Sequence, residues 1–313
     1  MSSTTDTVAV VAHDAGGAEI LSSFIRRTSM QPLYFLEGPA IGVFKRKIDN
    51  INVLLLEQAL EHADWLLTGT SWQSEIELDA ITMARKMGKR SVSFLDHWVN
   101  YRERFERNGI LTLPDELWVA DEYAKALACE TFPDLCVRLT DNPYLKDMQE
   151  QAKQYLPQHT KVGAALDVLY LGQPVREPAL RMHNDALFWG YTEEDALRYF
   201  LQSLEILGSP VERINIRLHP SEPAGKYDWV QAETPVYVNC AQEPDLLKQI
   251  MQADVVAGCA SMAMVIALSL GKKVISTIPP AGPECSLPFK EIIQLKKLSP
   301  QTAMPQTIAE NIL

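Results

Sequence analysis

Short runs of apolar, β-branched residues alternate with longer stretches of helical spacing along the chain, in two successive series. That alternation confines the chain to an α/β fold. In the first series the runs are Val8–Ala12, Leu33–Leu36, Val53–Leu56, Trp65–Thr68, Ser91–Leu95, Leu117–Val119 and Cys136–Leu139, and Ile76–Met87 and Glu122–Ala128 carry helix-like periodicity. After the polar stretch Gln149–Val162, strands are expected at Val168–Leu171, Ile214–Leu218, Val236–Val238, Asp254–Ala257 and Val274–Thr277. Helices are expected over Thr192–Leu207, Pro244–Gln252 and Met262–Leu270. Thr192, followed by Glu194 and Asp195, offers a hydroxyl N-cap with acids in the first turn. Runs this short and apolar suit strands buried on both faces, as in a parallel sheet. The expectation is two doubly wound, Rossmann-like α/β domains, residues 1–160 and 161–313, facing a cleft.

Bulk properties exclude several classes. The 313 residues carry a net charge of −11, which argues against a nucleic-acid partner. The longest basic cluster, Lys45-Arg46-Lys47, reads as a solvated patch, with phosphate or membrane-surface contact as its alternative. Five scattered cysteines lack metal-ligand spacing and read as free thiols, Cys259 in an apolar setting. The first residues, MSSTTDT, do not resemble a secretory signal, and no apolar run approaches ~18 uncharged residues. A cytoplasmic protein is expected, with work at the inner face of the membrane left open.

The chemistry-bearing residues fall just after expected strands. In HDAGGAE (13–19), Gly16 and Gly17 would let the backbone approach a ligand, and the following helix offers unpaired N–H groups. Asp14 could accept a proton from an acceptor hydroxyl, or it could cap the helix. No GxGxxG and no Walker lysine motif is present. Ser71, in GTSWQSE (69–75), supplies one of three hydroxyls, one of which is expected to cap the next helix. In FLDHWVNYRERF (94–105), Asp96, His97, Trp98 and Arg102 combine acid, base, aromatic face and cation. The plainer alternative there is a surface helix with an Arg102–Glu106 ion pair.

In the second half, His219 and Pro220 follow a strand in RLHPSE. The histidine could stabilise charge on a departing phosphate. Ser261, with Met262 beside it, opens a helix where it could cap, bind phosphate, or both. Gly172 and Gln173, in YLGQP, end the first strand of that series.

VLYLGQP, RLHPSE and ADVVAGCASMAMVIALSLGKKVI stand in the order found in the donor half of GT-B glycosyltransferases. The resemblance covers about 150 residues and is nearest to bacterial sialyltransferase-like and capsule-type transferases using CMP-activated sugars. It implies that His219 and Ser261 hold the nucleotide phosphate, with Gly172, Gln173, Pro220 and Met262 around them. The second hydroxyl of the family's Ser/Thr pair is absent, because Ala260 and Met262 flank Ser261. The family's acidic D/E-D/E-G motif is also missing; Asp14 takes the base's place by position alone.

The implied activity is transfer of a nonulosonic-acid or Kdo-type sugar from a CMP donor to a glycan or lipid-linked acceptor. It would be inverting, with no metal or other cofactor. Asp14 and His219 would be catalytic, and His13, Gly16, Gly17, Ser71, Asp96, His97, Trp98 and Arg102 would face the acceptor. The same architecture suits nucleotide-sugar 2-epimerases or hydrolases, and a sugar-nucleotide-binding protein without catalysis. Nothing in the sequence sets the oligomeric state.

Overall fold

Val8, Ala9, Val10 and Val11 are wholly excluded from solvent, as a strand covered on both faces requires. They belong to the first of two units in the computed structural model, Met1–Glu150 and Gln151–Leu313. The structure describes residues 6–72, 74–155, 165–240 and 243–298. The expected boundary at 160/161 lies outside the described residues.

The first unit runs β1 (Thr7–Ala12), α1 (Ala15–Arg26), β2 (Gln31–Leu36), α2 (Gly38–Lys47), α3 (Leu56–His62), β3 (Trp65–Thr68), α4 (Ile76–Lys86), β4 (Ser91–Phe94) and α5 (Tyr101–Phe105). A small antiparallel hairpin follows, β5 (Glu106–Arg107) with β6 (Ile110–Leu111), and then β7 (Glu116–Val119), α6 (Glu122–Thr131), β8 (Cys136–Leu139) and α7 (Pro143–Ala152). The parallel sheet has the order β2-β1-β3-β4-β7-β8. Helix α1 packs on α2, and α3 packs on α4. Strand β1 sends its first crossover to β2 and receives β3 on its other side. The strand order therefore reverses between β1 and β3, where a doubly wound sheet opens a crevice at its carboxyl edge.

The second unit continues with β9 (Leu166–Leu171), α8 (Arg176–His183), α9 (Glu193–Leu201), β10 (Val211–Arg217), α10 (Val230–Glu233), β11 (Tyr237–Asn239) and α11 (Leu246–Gln252). It ends with β12 (Val255–Gly258), α12 (Met262–Ser269), β13 (Lys273–Ser276), β14 (Ile293–Gln294) and α13 (Leu295–Leu298). Its parallel order, β11-β10-β9-β12-β13-β14, is 3-2-1-4-5-6 in chain order, the Rossmann arrangement, and reverses between β9 and β12. Thr192 caps α9 as expected, in a capping box with Asp195.

Three expectations need correction. Val53–Leu56 is not a strand: Val53 makes one isolated bridge to Tyr34, and Leu56 already begins α3. The residues that bury are Ala59 and Leu60, one helical turn further on, while Val53 and Leu55 stay exposed. The helix expected over Thr192–Leu207 stops at Leu201, and a separate 3-10 turn covers Leu204–Leu207. Lys45-Arg46-Lys47 is not uniformly solvated. It closes α2, where Arg46 and Lys47 both pair with Glu19, and Lys47 is mostly buried.

Candidate functional site

In the first unit the loops after β1, β3 and β4 meet at the carboxyl edge. They meet closely because two glycines face each other: a Cβ on Gly17 would lie 3.2 Å from Gly69 Cα. The space beside Gly16 is taken by the Asp96 carboxylate. Gly17 is buried against Gly69, while Gly16 stays exposed beside the Asp96 carboxylate.

Asp14 occupies the N-cap position of α1 but makes no capping bond. Its Oδ1 pairs with His13 Nδ1 at 2.7 Å, and its Oδ2 accepts the Trp72 amide at 3.3 Å. The side chain keeps 20% of its surface exposed, so a ligand can reach it. The His13 ring lies against Gly38 at the start of α2. Its backbone N–H donates to Glu77 Oε1 at 2.9 Å.

Asp96 and His97 follow β4. Asp96 Oδ1 accepts from Arg104 at 3.2 Å and from the Thr70 hydroxyl at 3.3 Å, and Arg104 also donates to Thr70 at 3.0 Å. Arg104 is 5% exposed, so this is a buried ion pair braced by a hydroxyl. His97 Nδ1 accepts the Trp98 amide, and burial pulls its pKa below the usual histidine value. Ser71 is buried and its hydroxyl accepts the Ser74 amide, which shapes the turn into α4; the Ser74 hydroxyl in turn accepts the Ile76 amide.

Two expected acceptor-side residues lie elsewhere. Trp98 is 8% exposed and its indole N–H donates to Asp121, the N-cap of α6, so its ring is core. Arg102 faces solvent in the i,i+4 pair with Glu106, the plainer of its two readings. The arginine that enters the site is Arg104, two residues on. Trp72 was also missed; it stands half-exposed beside Asp14.

The most consequential omission is Glu77, on α4. Its residue is 3% exposed, and its Oε2 has no hydrogen-bond partner among the described residues. Burial, with a smaller push from Asp14, raises its pKa from 4.5 to about 7. A signal was present: Glu77, Ala80, Ile81 and Ala84 form the buried i, i+3, i+4, i+7 stripe of α4, and a glutamate leads it.

In the second unit the loops after β9, β10 and β12 carry the expected donor-side residues. Gln173 Oε1 accepts the Ala260 amide at 2.9 Å, which ties the β9 loop to the β12 loop across the crevice. Ser261 is the N-cap of α12 without a capping bond, and its Oγ is buried and unpartnered among the described residues. Met262, half-buried, begins the helix. His219 and Pro220 are exposed after β10, with His219 Nδ1 on the Ser221 hydroxyl at 2.8 Å.

Beneath them lies a network that sequence reasoning did not find. The His219 amide donates to Glu222 Oε2 at 2.8 Å, and Tyr227 and Lys226 reach Glu222 Oε1 at 2.8 and 3.0 Å. Lys226 also pairs with Glu193, whose Oε2 accepts the Val175 and Arg176 amides at the start of α8. Burial alone would raise the Glu193 pKa, but Lys226 and these amides bring it below the ordinary glutamate value. Gly172 is required here, because a Cβ would lie 2.6 Å from Glu222 Oε2. Among the described residues no cluster of three or more His, Cys, Asp or Glu could hold a metal ion.

No family model and no curated protein matches the sequence. Among solved structures, the chain is similar to a putative UDP-N-acetylglucosamine 2-epimerase from Listeria monocytogenes, with a TM-score of 0.57 and 10% identity over 87% of this chain and 79% of that one. It is similar to the UDP-GlcNAc 2-epimerase of Methanocaldococcus jannaschii, with a TM-score of 0.55 and 12% identity over 86% and 83%. An E. coli heptosyltransferase aligns over 92% of each chain at 12% identity, with a TM-score of 0.46. At these identities the likeness is one of fold: two Rossmann-like α/β units of GT-B type.

Proposed function

We propose that the chain is a nucleotide-sugar enzyme, a glycosyltransferase with Asp14 as general base and with His219, Ser261 and the start of α12 as the phosphate site. One observation carries the reading. At the crevice of each unit, the residue at a helix N-cap is of capping type, yet its side chain does not cap: Asp14 before α1 and Ser261 before α12. The Ser261 hydroxyl stays unpartnered among the described residues, and Asp14, held by His13 and the Trp72 amide instead of its helix, keeps a fifth of its side chain exposed to a ligand.

In the proposed reaction, the acceptor hydroxyl gives its proton to Asp14 as its oxygen attacks the anomeric carbon. The bond from that carbon to the phosphate oxygen breaks, and the electron pair leaves with the nucleotide. His219, the Ser261 hydroxyl and the first amides of α12 meet the charge that develops there. A CMP-linked donor follows from the resemblance in the donor-half motifs, and the acceptor is a glycan or lipid-linked saccharide, within reach of a membrane surface. The solved structures of similar fold named above include proteins named for epimerising UDP-GlcNAc. A uridine donor turned over without acceptor is therefore the competing outcome.

Thermal-shift titration with CMP, CDP, UDP and UDP-GlcNAc tests the donor side, since a ligand at ~100 times its Kd adds about 2.7 kcal/mol. CMP should stabilise the protein, and His219→Ala, folded, should lose that response. Preference for UDP, with donor consumed in the absence of acceptor, moves the protein to the epimerase or hydrolase class. Binding with no consumption under any acceptor makes it a sensor. On the acceptor side, Asp14→Asn should lower turnover by roughly 10²–10⁴-fold while donor affinity holds. Full activity in that variant removes Asp14 as the base.

A further inference from the structure

Two glutamates on different crossovers of the two units make the same kind of local contact and meet opposite fates. Glu77 leads the buried stripe of α4, and Glu193 leads that of α9, where Ala196, Leu197 and Phe200 follow it. Each accepts backbone amides at a loop after its unit's first strand: His13 after β1, Val175 and Arg176 after β9. Glu193 is neutralised by Lys226. No cation pairs with Glu77 among the described residues, and its Oε2 is sealed from solvent without a partner.

An unpaired buried carboxylate is expensive as an anion, so such a group tends to keep its proton. The charged groups acting on it are Asp14 and His13, both on the β1–α1 loop. The adjoining strands β3 and β4 contribute only uncharged residues, and Glu57, Glu61 and His62 of the packed helix α3 lie exposed. We propose that Glu77 is the positioning residue of the His13–Asp14 pair: Oε1 fixes the loop through the His13 amide, and one proton gained or lost at the carboxyl sets the charge beside Asp14. With the proton on, Asp14 is the sole anion of the loop. When Glu77 releases that proton to solvent, a second negative charge appears beside Asp14. Burial places this exchange near neutral pH, with the value raised to about 7.

The proposal deepens the reading of Asp14 as base, yet its first test needs no turnover. Difference infrared spectroscopy of the full chain follows the carbonyl stretch of a protonated carboxyl between about pH 5 and pH 9. The wild type should show this band near pH 6 and lose it by about pH 8, and Glu77→Gln should lack it. In Asp14→Asn the band should vanish at lower pH, because the charge that opposes ionisation of Glu77 is gone. If Glu77→Gln fails to fold, the shift in Asp14→Asn still decides the matter. No such band above about pH 5.5 in the wild type, or a midpoint that Asp14→Asn does not lower, overturns the proposal. Where turnover is found, its pH profile should carry an inflection near 7 that Glu77→Gln removes. Loss of turnover in Asp14→Asn bears on the base alone, and the infrared midpoint bears on Glu77 alone.

Discussion

Replacing Gly172 by alanine tests whether the crevice of the second unit is as full as its distances imply. The new Cβ would lie 2.6 Å from Glu222 Oε2, 3.0 Å from the Arg217 carbonyl oxygen and 3.3 Å from the Tyr227 hydroxyl. The carbonyl cannot retreat, since it belongs to β10 and accepts the Gly172 amide at 2.8 Å. The carboxylate can move only by loosening its bond to the His219 amide, Tyr227 or Lys226. Losing one hydrogen bond to a buried charge costs about 1.5–3 kcal/mol. Alanine returns about 0.4–1 kcal/mol by restricting the unfolded chain. The net expectation is a loss of about 0.5–2.6 kcal/mol, overlapping the range of core overpacking. Urea denaturation followed by circular dichroism reads it, with Gly42→Ala as the opposite control. Gly42 lies within α2 with nothing within 4 Å of a Cβ, so alanine should stabilise there by up to about 1 kcal/mol. A Gly172→Ala protein as stable as wild type, or two variants that shift the same way, would refute the steric reasoning.

Arg104→Ala should cost about 3–5 kcal/mol by leaving Asp96 buried without its cation, whereas Arg102→Ala, on the solvent-exposed pair, should cost under about 1 kcal/mol; equal urea midpoints would contradict both placements. Native thiol labelling at about pH 8 should modify the exposed Cys129 and Cys136 first and spare Cys259, whose thiol burial pushes up to about 12; mass spectrometry showing Cys259 labelled in the folded protein would count against its burial. Glu77 holds its proton more tightly folded than unfolded, so its contribution is fully favourable below about pH 4.5 and is lost as pH rises through about 7. The rise from 4.5 to about 7 corresponds to about 3 kcal/mol, and Glu77→Gln should flatten that slope in denaturation curves taken across the range.

The strands buried on both faces were legible because burial on two sides demands an unbroken apolar run, as in Val8–Ala12 and Val255–Gly258. Val53–Leu56 carries the same composition and is not a strand: the run leads into α3, whose buried positions, Ala59 and Leu60, come a turn later, and a four-residue apolar run does not by itself separate the two cases. Helix α2 was hidden by Gly38, Pro39 and Gly42, which dilute its periodicity, although Pro39 in the first turn suits a helix start. Asp14 and Ser261 stand just after strands, where doubly wound sheets carry their ligand groups, and that placement was legible from the apolar runs before them. Arg102 and Arg104 could not be separated locally. One is buried only because Asp96 and Thr70, from two other strand ends, converge on it.

The two stripe-leading glutamates define where local pattern stops informing. Glu77-Ala80-Ile81-Ala84 and Glu193-Ala196-Leu197-Phe200 each announce a carboxylate on a buried helix face, from spacing alone. Whether that carboxylate is a neutralised strut or a proton store depends on a cation that spacing cannot supply. For Glu193 it arrives from Lys226, 33 residues onward and beyond the whole of β10. For Glu77 it does not arrive, and the nearest charged partners are the acid and imidazole of the loop it supports. The same local motif thus gives a structural brace in one unit and a titrating group in the other. Removing the cation should convert one into the other: in Lys226→Met, Glu193 keeps its buried place without its charge partner, so its pKa should rise and a protonated-carboxyl band should appear toward neutral pH. No new band in a folded Lys226→Met protein would mean that the Val175 and Arg176 amides, and not the cation, govern Glu193.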